Sequence, residues 1–296
     1  MRASPRIYSS DLAFIHDAGF DWFARGAGPE LLRILRAHGV LPPRGGRPAA
    51  RIVEVGCGSG ILARTLTHAG YRVLGLDASP AMIRLSRARA PRAAFRVDSL
   101  ERARIPPCAA VISLGEVVSY VPEPRRKPQV LPSFFRRVHT ALRPGGVLLF
   151  DFLESAAGRT YPLKIRSGPG WAIFFGAEAD PRRRLLTRRI ITHREVAGRC
   201  RISGETHRLR LYDRGEIAAE LTRLGFRVRM RRSYGKLRLL AGDVAVIAVK
   251  AESAPAGSRA QAKRRALTAS RPGRRASPRV PTRRSRQRAR APGAAR

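Results

Sequence analysis

An α/β fold, a doubly wound parallel sheet, is expected of these 296 residues, and three observations lead to it. Between about residues 50 and 150, short β-branched runs alternate with stretches of helical periodicity, the signature of a parallel sheet covered by helices on both faces. The run Arg51-Ile-Val-Glu-Val breaks into Gly56-Cys-Gly58-Ser-Gly60 and resumes as helix from Ile61, giving a strand, a tight turn and a helix start in one line. The next apolar strand then ends in an acid, Asp77, a placement that suits binding of ribose hydroxyls. At 44% hydrophobic content, the length accommodates one such core with accessory elements.

Residues 1–50 read as a helical cap and linker. Tyr8 to Arg25 carries short helices, Pro29 to His38 a helix with Leu31, Leu32 and Leu35 on one face, and Gly39 to Pro48 a Gly/Pro linker. Residues 51–154 hold the parallel sheet. Its first helix, from Ile61 to Ala69, is closed by Gly70, and its second, from Ala81 to Ala90, has Ser79 as N-cap and Pro80 in the first turn. A third helix, from Pro128 to Leu142, turns Phe134, Phe135 and Val138 inward.

From 155 to 212 the helical pattern stops. Three extended runs, Trp171 to Phe175, Leu185 to Glu195 and Arg201 to Tyr212, predict a small inserted antiparallel sheet acting as a lid. Alternation puts Ile191, His193 and Glu195 on one face of the second run, and Glu205, His207, Leu209 and Leu211 on one face of the third. Arg188, Arg194, Arg208 and Arg210 fall opposite, so the arginine face is assigned to water and the mixed face to the core. Residues 213–252 complete the core, with a helix from the capping box Asp213–Glu216 to Gly225 and two last strands, Phe226 to Arg231 and Asp243 to Lys250. Residues 253–296 are Arg, Ala, Pro and Ser without apolar periodicity and are expected to be disordered.

The glycine spacing excludes the nicotinamide-dinucleotide fingerprint, whose third glycine would stand at 61, where this chain has Ile61. Glu54-x-Gly56-x-Gly58-x-Gly60, followed by Asp77, instead resembles the class I S-adenosylmethionine-dependent methyltransferases of small-molecule type. The resemblance extends over residues 50 to 152. Asp98, in Phe95-Arg-Val-Asp-Ser-Leu100, sits where that family contacts adenine; Ala110 to Glu116 matches its fourth strand and Leu142 to Phe150 its fifth. It implies a Rossmann-like seven-stranded sheet ending in an antiparallel hairpin, with S-adenosylmethionine as cofactor. Carried onto this chain, Gly56, Gly58 and Gly60 admit the methionine part to the backbone, and Glu54 accepts from its amino group. Asp77 and Ala78 meet the ribose; Asp98, Ser99 and Leu100 meet the adenine; Leu114 completes the set at the end of the fourth strand. Small-molecule members fold their N-terminal segment over the cofactor, and Arg25 is the expected partner of its carboxylate, since a guanidinium matches that fork. The other reading of this segment is a packing helix pair, with His16 a structural histidine.

Methyl transfer from a sulfonium is an in-line displacement, so the protein aligns the acceptor, excludes water and accepts a proton where one is released. Glu116 follows the fourth strand and is either a proton acceptor or a hydrogen-bonded loop carboxylate; Tyr120 belongs to the acceptor pocket or to the core. His193 and His207 are candidate proton acceptors on the lid, or simply pack on it. Pro107-Cys108 precedes the fourth strand, whereas cytosine methyltransferases carry Pro-Cys after it, so it reads as a loop.

Net charge is +38, which favours an anionic partner, yet only five of the 59 basic residues are lysine, a bias that suggests codon usage. Fourteen of the 59 lie in Ala254–Arg296, where they would bind nucleic acid weakly. A small-molecule acceptor is the first reading, an RNA or protein methyltransferase using the tail the second, and a non-catalytic cofactor-fold protein the third. Cys57, Cys108 and Cys200 have no metal-ligand spacing, so no metal site is expected. No apolar run is long enough to span a bilayer, which predicts a soluble, cytoplasmic protein without membrane partners.

Overall fold

The computed structural model describes residues 7–43, 48–121, 130–155 and 160–252. Helices α1 (Ser10–Gly19) and α2 (Trp22–Ala37) precede β1 (Arg51–Val55), α3 (Ile61–His68), β2 (Arg72–Asp77), α4 (Pro80–Arg89), β3 (Ala94–Val97) and β4 (Cys108–Ser113). Then come a single 3-10 turn (Val117–Ser119), α5 (Val130–Ala141) and β5 (Leu142–Leu153). Next are β6 (Tyr161–Gly168), β7 (Trp171–Asp180), β8 (Leu185–Val196) and β9 (Arg199–Arg210). The last elements are α6 (Arg214–Arg223), β10 (Phe226–Arg231), the short pair β11 (Ser233–Tyr234) and β12 (Leu237–Arg238), and β13 (Asp243–Lys250).

The main sheet has the order β10-β13-β5-β4-β1-β2-β3. Strands β1 to β5 are mutually parallel, while β13 runs antiparallel to both β5 and β10, forming the expected hairpin. Strand order reverses between β1 and β4, and in such sheets ligands bind at the carboxyl ends beside that switch point. Alternate residues of β5 serve two cores. Leu148, Phe150 and Phe152 join Phe134, Phe135 and Val138 of α5 and Leu221 of α6, whereas Val147 and Leu149 join Leu31 and Leu35 of α2 and Leu62 and Leu66 of α3.

Three expectations are corrected. Helix α2 starts at Trp22 and runs through Pro29, because its apolar face is buried against α3, so closely that a Cβ on Gly28 would come within 3.0 Å of Thr65. That packing offsets the backbone hydrogen bond a proline removes. The inserted antiparallel sheet, expected as a lid, has four strands, in the order β6-β7-β8-β9, instead of three. Strand β6 was missed because Pro162 interrupts it and its side chains are largely exposed, both properties of an edge strand. The third correction concerns the face of β8, where Leu186, Ile190 and Thr192 are buried and Arg188 and Arg194 share their side, leaving Ile191, His193 and Glu195 on the other. A buried and a half-buried acid make this possible: Arg188 pairs with Glu116 at 2.9 Å and Arg194 with Asp11 at 3.0 Å. On β9 the expected face holds, with His207 and Leu209 buried and Arg208 exposed. The expected disorder of 253–296 lies outside the described residues, as do residues 44–47 of the linker.

Candidate active site

The turn after β1 builds the first half of the site. Gly56 has φ +75°, and a Cβ there would collide with Val117; Gly58, at φ +53°, faces open space, so its backbone is approachable from outside. The Gly58 amide donates to Asp77 Oδ2 at 2.9 Å and the Ser79 amide to Oδ1 at 2.8 Å, which fixes the carboxylate while leaving a lone pair on each oxygen for ribose hydroxyls. The Asp98 amide donates to the Asp77 carbonyl at 2.9 Å, so both acids stand together at the ends of β2 and β3. Asp98 itself accepts from the Ser99 amide at 2.9 Å and from Arg96 at 3.0 Å. Ala78 is exposed beside Asp77, Leu100 packs at the edge of one core, and Leu114 at the edge of the other.

Glu54 is the strongest sign of a ligand. It is buried, its Oε2 has no hydrogen-bond partner among the described residues, and burial together with the Asp77 carboxylate holds its proton affinity well above the usual carboxylate range. A carboxylate so placed suits the ammonium group of an amino acid. Ser99 Oγ, near the expected adenine position, is likewise buried without a partner among the described residues. These residues fit S-adenosylmethionine.

The second half is a cavity of about 520 Å³ between α1, α2, the lid and the ends of β4 and β5. Phe20, Trp22, Phe23, Tyr120, Tyr161 and Phe175 give it aromatic walls. At the sheet edge stand Glu116, Asp151 and Asp243. Asp151 accepts the Glu116 amide at 2.5 Å and the Gly115 amide at 3.1 Å, which helps hold Glu116 at a left-handed φ of 64°. Arg188 reaches from β8 to Glu116 and also donates to the Tyr161 hydroxyl at 3.0 Å. Burial raises Asp151 to about 7 and lowers His16, on the cavity wall, to about 4.

The methyltransferase domain model matches residues 52–146, from the middle of the acid-glycine strand to the start of β5. Residues 52–146 carry a methyltransferase domain. It is 32% identical over 176 residues to a ubiquinone biosynthesis O-methyltransferase of Methylobacterium sp., covering 56% of this chain and 59% of that protein. It is 30% identical over 134 residues to a malonyl-[acyl-carrier protein] O-methyltransferase of Serratia marcescens, covering 45% and 46%. This chain therefore spans about half the length of the curated relatives it matches. Among solved structures, the sugar N-methyltransferase KedS8 of Streptoalloteichus sp. superposes with TM-score 0.63 at 17% identity over 85% of this chain and 99% of that one. A methyltransferase of Clostridium acetobutylicum gives 0.65 at 12% over 81% and 97%. At such identities the likeness is one of fold.

Glu54, Gly58 and Asp77 stand together at the turn after β1, and three other assignments change. Arg25 points to solvent from α2 and pairs with Asp21 one turn earlier, so it is not the carboxylate fork. The arginine beside the glycine turn is Arg89, which donates to the Ser59 carbonyl at 2.9 Å and, in a two-pronged pair, to Asp17 at 2.5 and 2.8 Å. His193 lies on the far face of β8, turned away from Glu116, so it cannot take a proton there. His207 faces inward, but its Nε2 is 2.8 Å from Glu205, an acceptor-only carboxylate that also takes the amides of Tyr8 and Ser9 at 2.8 Å. It thereby braces the anchor of α1 and is not on the cavity wall. Glu116 lies on that wall, paired with Arg188. Sequence reasoning missed Asp151 and Arg188; the only signal for Asp151 was a lone acid inside the apolar run Val147–Leu153.

Proposed function

We propose that the protein transfers the methyl group of S-adenosylmethionine to an amine or hydroxyl of a small molecule held in the aromatic cavity. The observation that carries this reading is the junction of the two half-sites. The Gly115–Glu116 turn lines the cavity, while Val117, next in the chain, packs on Gly56 of the cofactor turn. An acceptor in the cavity would thus lie beside the expected methyl position. When bound, the cofactor supplies an electrophilic methyl on a positively charged sulfur. This chain would hold its ribose through Asp77 and its ammonium through Glu54, while Glu116 and Arg188 form a fixed wall and the lid excludes water. The cavity's size suits a small molecule, and the likeness to a ubiquinone biosynthesis O-methyltransferase supports an acceptor of that class.

Incubating purified protein with methyl-labelled cofactor and a cell extract, then separating metabolites, RNA and protein, tests the reading. Label is expected in the metabolite fraction. Label in RNA or protein, lost on removing the basic tail, would replace it with a macromolecular acceptor.

A further inference from the structure

We infer that the acceptor is an amine, bound as its ammonium ion, and that Asp151 is the carboxylate that receives its proton. This rests on the methyltransferase reading above and narrows it from amine or hydroxyl to amine.

The charge at the sheet edge is the first ground. Glu116, Asp151 and Asp243 line the cavity there; the cations on its wall are Arg188, which is bound to Glu116, and Lys164 of β6, whose Nζ lies 5.4 Å from the Tyr161 ring centroid. Among the described residues the hydrogen-bond partners of Asp151 are neutral: the Gly115 and Glu116 amides and, at 3.5 Å, the Tyr234 hydroxyl. Facing it are Glu116 from the turn after β4, Arg188 from β8 behind that carboxylate, Tyr234 from β11 and Asp243 from β13. Three carboxylates against two cations, one of them tied to Glu116, leave one acid in excess, and with aromatic faces around it such a site stabilises an organic cation by ion pairing and by cation–π attraction.

Proton affinity is the second. A hydroxyl acceptor would need a base able to take a poorly acidic proton. His16 is the cavity's imidazole, and burial has lowered it to about 4, which makes it a weak base. Tyr8 and Tyr120 are pushed above their usual range by burial, so their hydroxyls stay protonated. Asp151 is raised to about 7, which matches it to an ammonium acidified by desolvation. The balance is complete. The ammonium N–H gives its proton to the Asp151 carboxylate; the freed nitrogen lone pair forms the N–C bond as the carbon–sulfur bond breaks, and that pair stays on sulfur as a neutral thioether. The methylated amine departs as an ammonium, and Asp151 returns its proton to water.

The test is calorimetry on the full chain saturated with S-adenosylhomocysteine, using matched probes: phenethylamine with 2-phenylethanol, and cyclohexylamine with cyclohexanol. At pH 7.5 each amine is expected to bind at least about tenfold more tightly than its alcohol. Asp151→Asn should keep its S-adenosylhomocysteine affinity while the two members of each pair come within about twofold. In the parent, the preference should also fade between pH 7.5 and 5, where the amines stay protonated and Asp151 does not stay charged; this readout needs no variant. Equal binding, an alcohol preference, binding of neither probe, or a preference unchanged at pH 5 overturns the inference. A variant that folds and keeps the amine preference overturns the role of Asp151. Failure of the parent to bind S-adenosylhomocysteine sinks the methyltransferase reading itself, a separate result.

Discussion

Two buried titratable groups on the same cavity act on stability with opposite sign. His16 has its proton affinity lowered from 6.5 to about 4, so the unfolded chain binds more protons between those values. Its contribution is complete above pH 6.5 and is lost as pH falls to 4, worth at most about 3 kcal/mol. Asp151 is raised from 3.8 to about 7, so its contribution is complete below pH 3.8 and is lost as pH rises through 7, at most about 4 kcal/mol. Urea unfolding from pH 4 to 7.5 should therefore show the parent losing ground to His16→Gln as pH falls, and to Asp151→Asn as pH rises. Parallel curves for parent and variant would refute the assigned environments. Asp77 gives a binding prediction: Asp77→Ala removes the acceptor of both ribose hydroxyls and should cost on the order of 2 to 3 kcal/mol, about a hundredfold in S-adenosylhomocysteine affinity by calorimetry. Asp77 and Glu54 were legible in the sequence because their positions follow from strand ends and glycine spacing. Arg25 misled, since which face of α2 meets the site depends on how that helix packs against α3, and no local pattern states this.

At the scale of elements, the lid and α1 are joined through charge buried against charge. The β8 face was misread because arginines were assigned to water by rule, while the acids that receive them, Glu116 and Asp11, lie 72 and 183 residues away in sequence. Arg188→Ala leaves the Glu116 carboxylate buried beside Asp151 and should destabilise by about 3 to 5 kcal/mol, largely recovered in the double variant with Glu116→Gln. A double-mutant cycle in denaturant measures this, and strict additivity would deny the pair. Glu205 is the corresponding anchor for α1, taking the amides of Tyr8 and Ser9 with His207 bracing it. Ser79 Oγ donates to the Tyr8 carbonyl at 2.7 Å, so the same strap touches both β9 and the loop after Asp77. Glu205→Ala should speed amide exchange in residues 8–19 by a factor corresponding to roughly 1 to 3 kcal/mol, leaving β1, β4 and β5 protected. Equal acceleration in the main sheet would mean that the strap is not a separate unit.

Over the whole molecule, fold and charge are separable. The sheet is closed by β10 and β13, strands legible from apolar periodicity and whose hairpin pairing the family resemblance implied, and β13 ends at Lys250, where Nζ donates to the carbonyls of His139 and Leu142 at 2.7 Å each. Among the described residues, every strand of the three sheets lies between Arg51 and Lys250. The 14 basic residues of Ala254–Arg296 add no apolar periodicity to a core and carry no acid among them. Deleting 253–296 should leave the unfolding midpoint and S-adenosylhomocysteine affinity of the chain unchanged. Polyanion binding should behave differently. Each phosphate neutralised by an arginine releases condensed counterions, so heparin or RNA affinity of the full chain should fall steeply between about 50 and 200 mM salt, and the deletion should flatten that slope. Residues 1–253 still carry a net +24, so weaker binding with a shallower slope should remain. If the shortened chain instead loses methyl transfer to a small molecule while keeping its cofactor affinity, the tail takes part in acceptor capture and the cavity alone does not define the substrate.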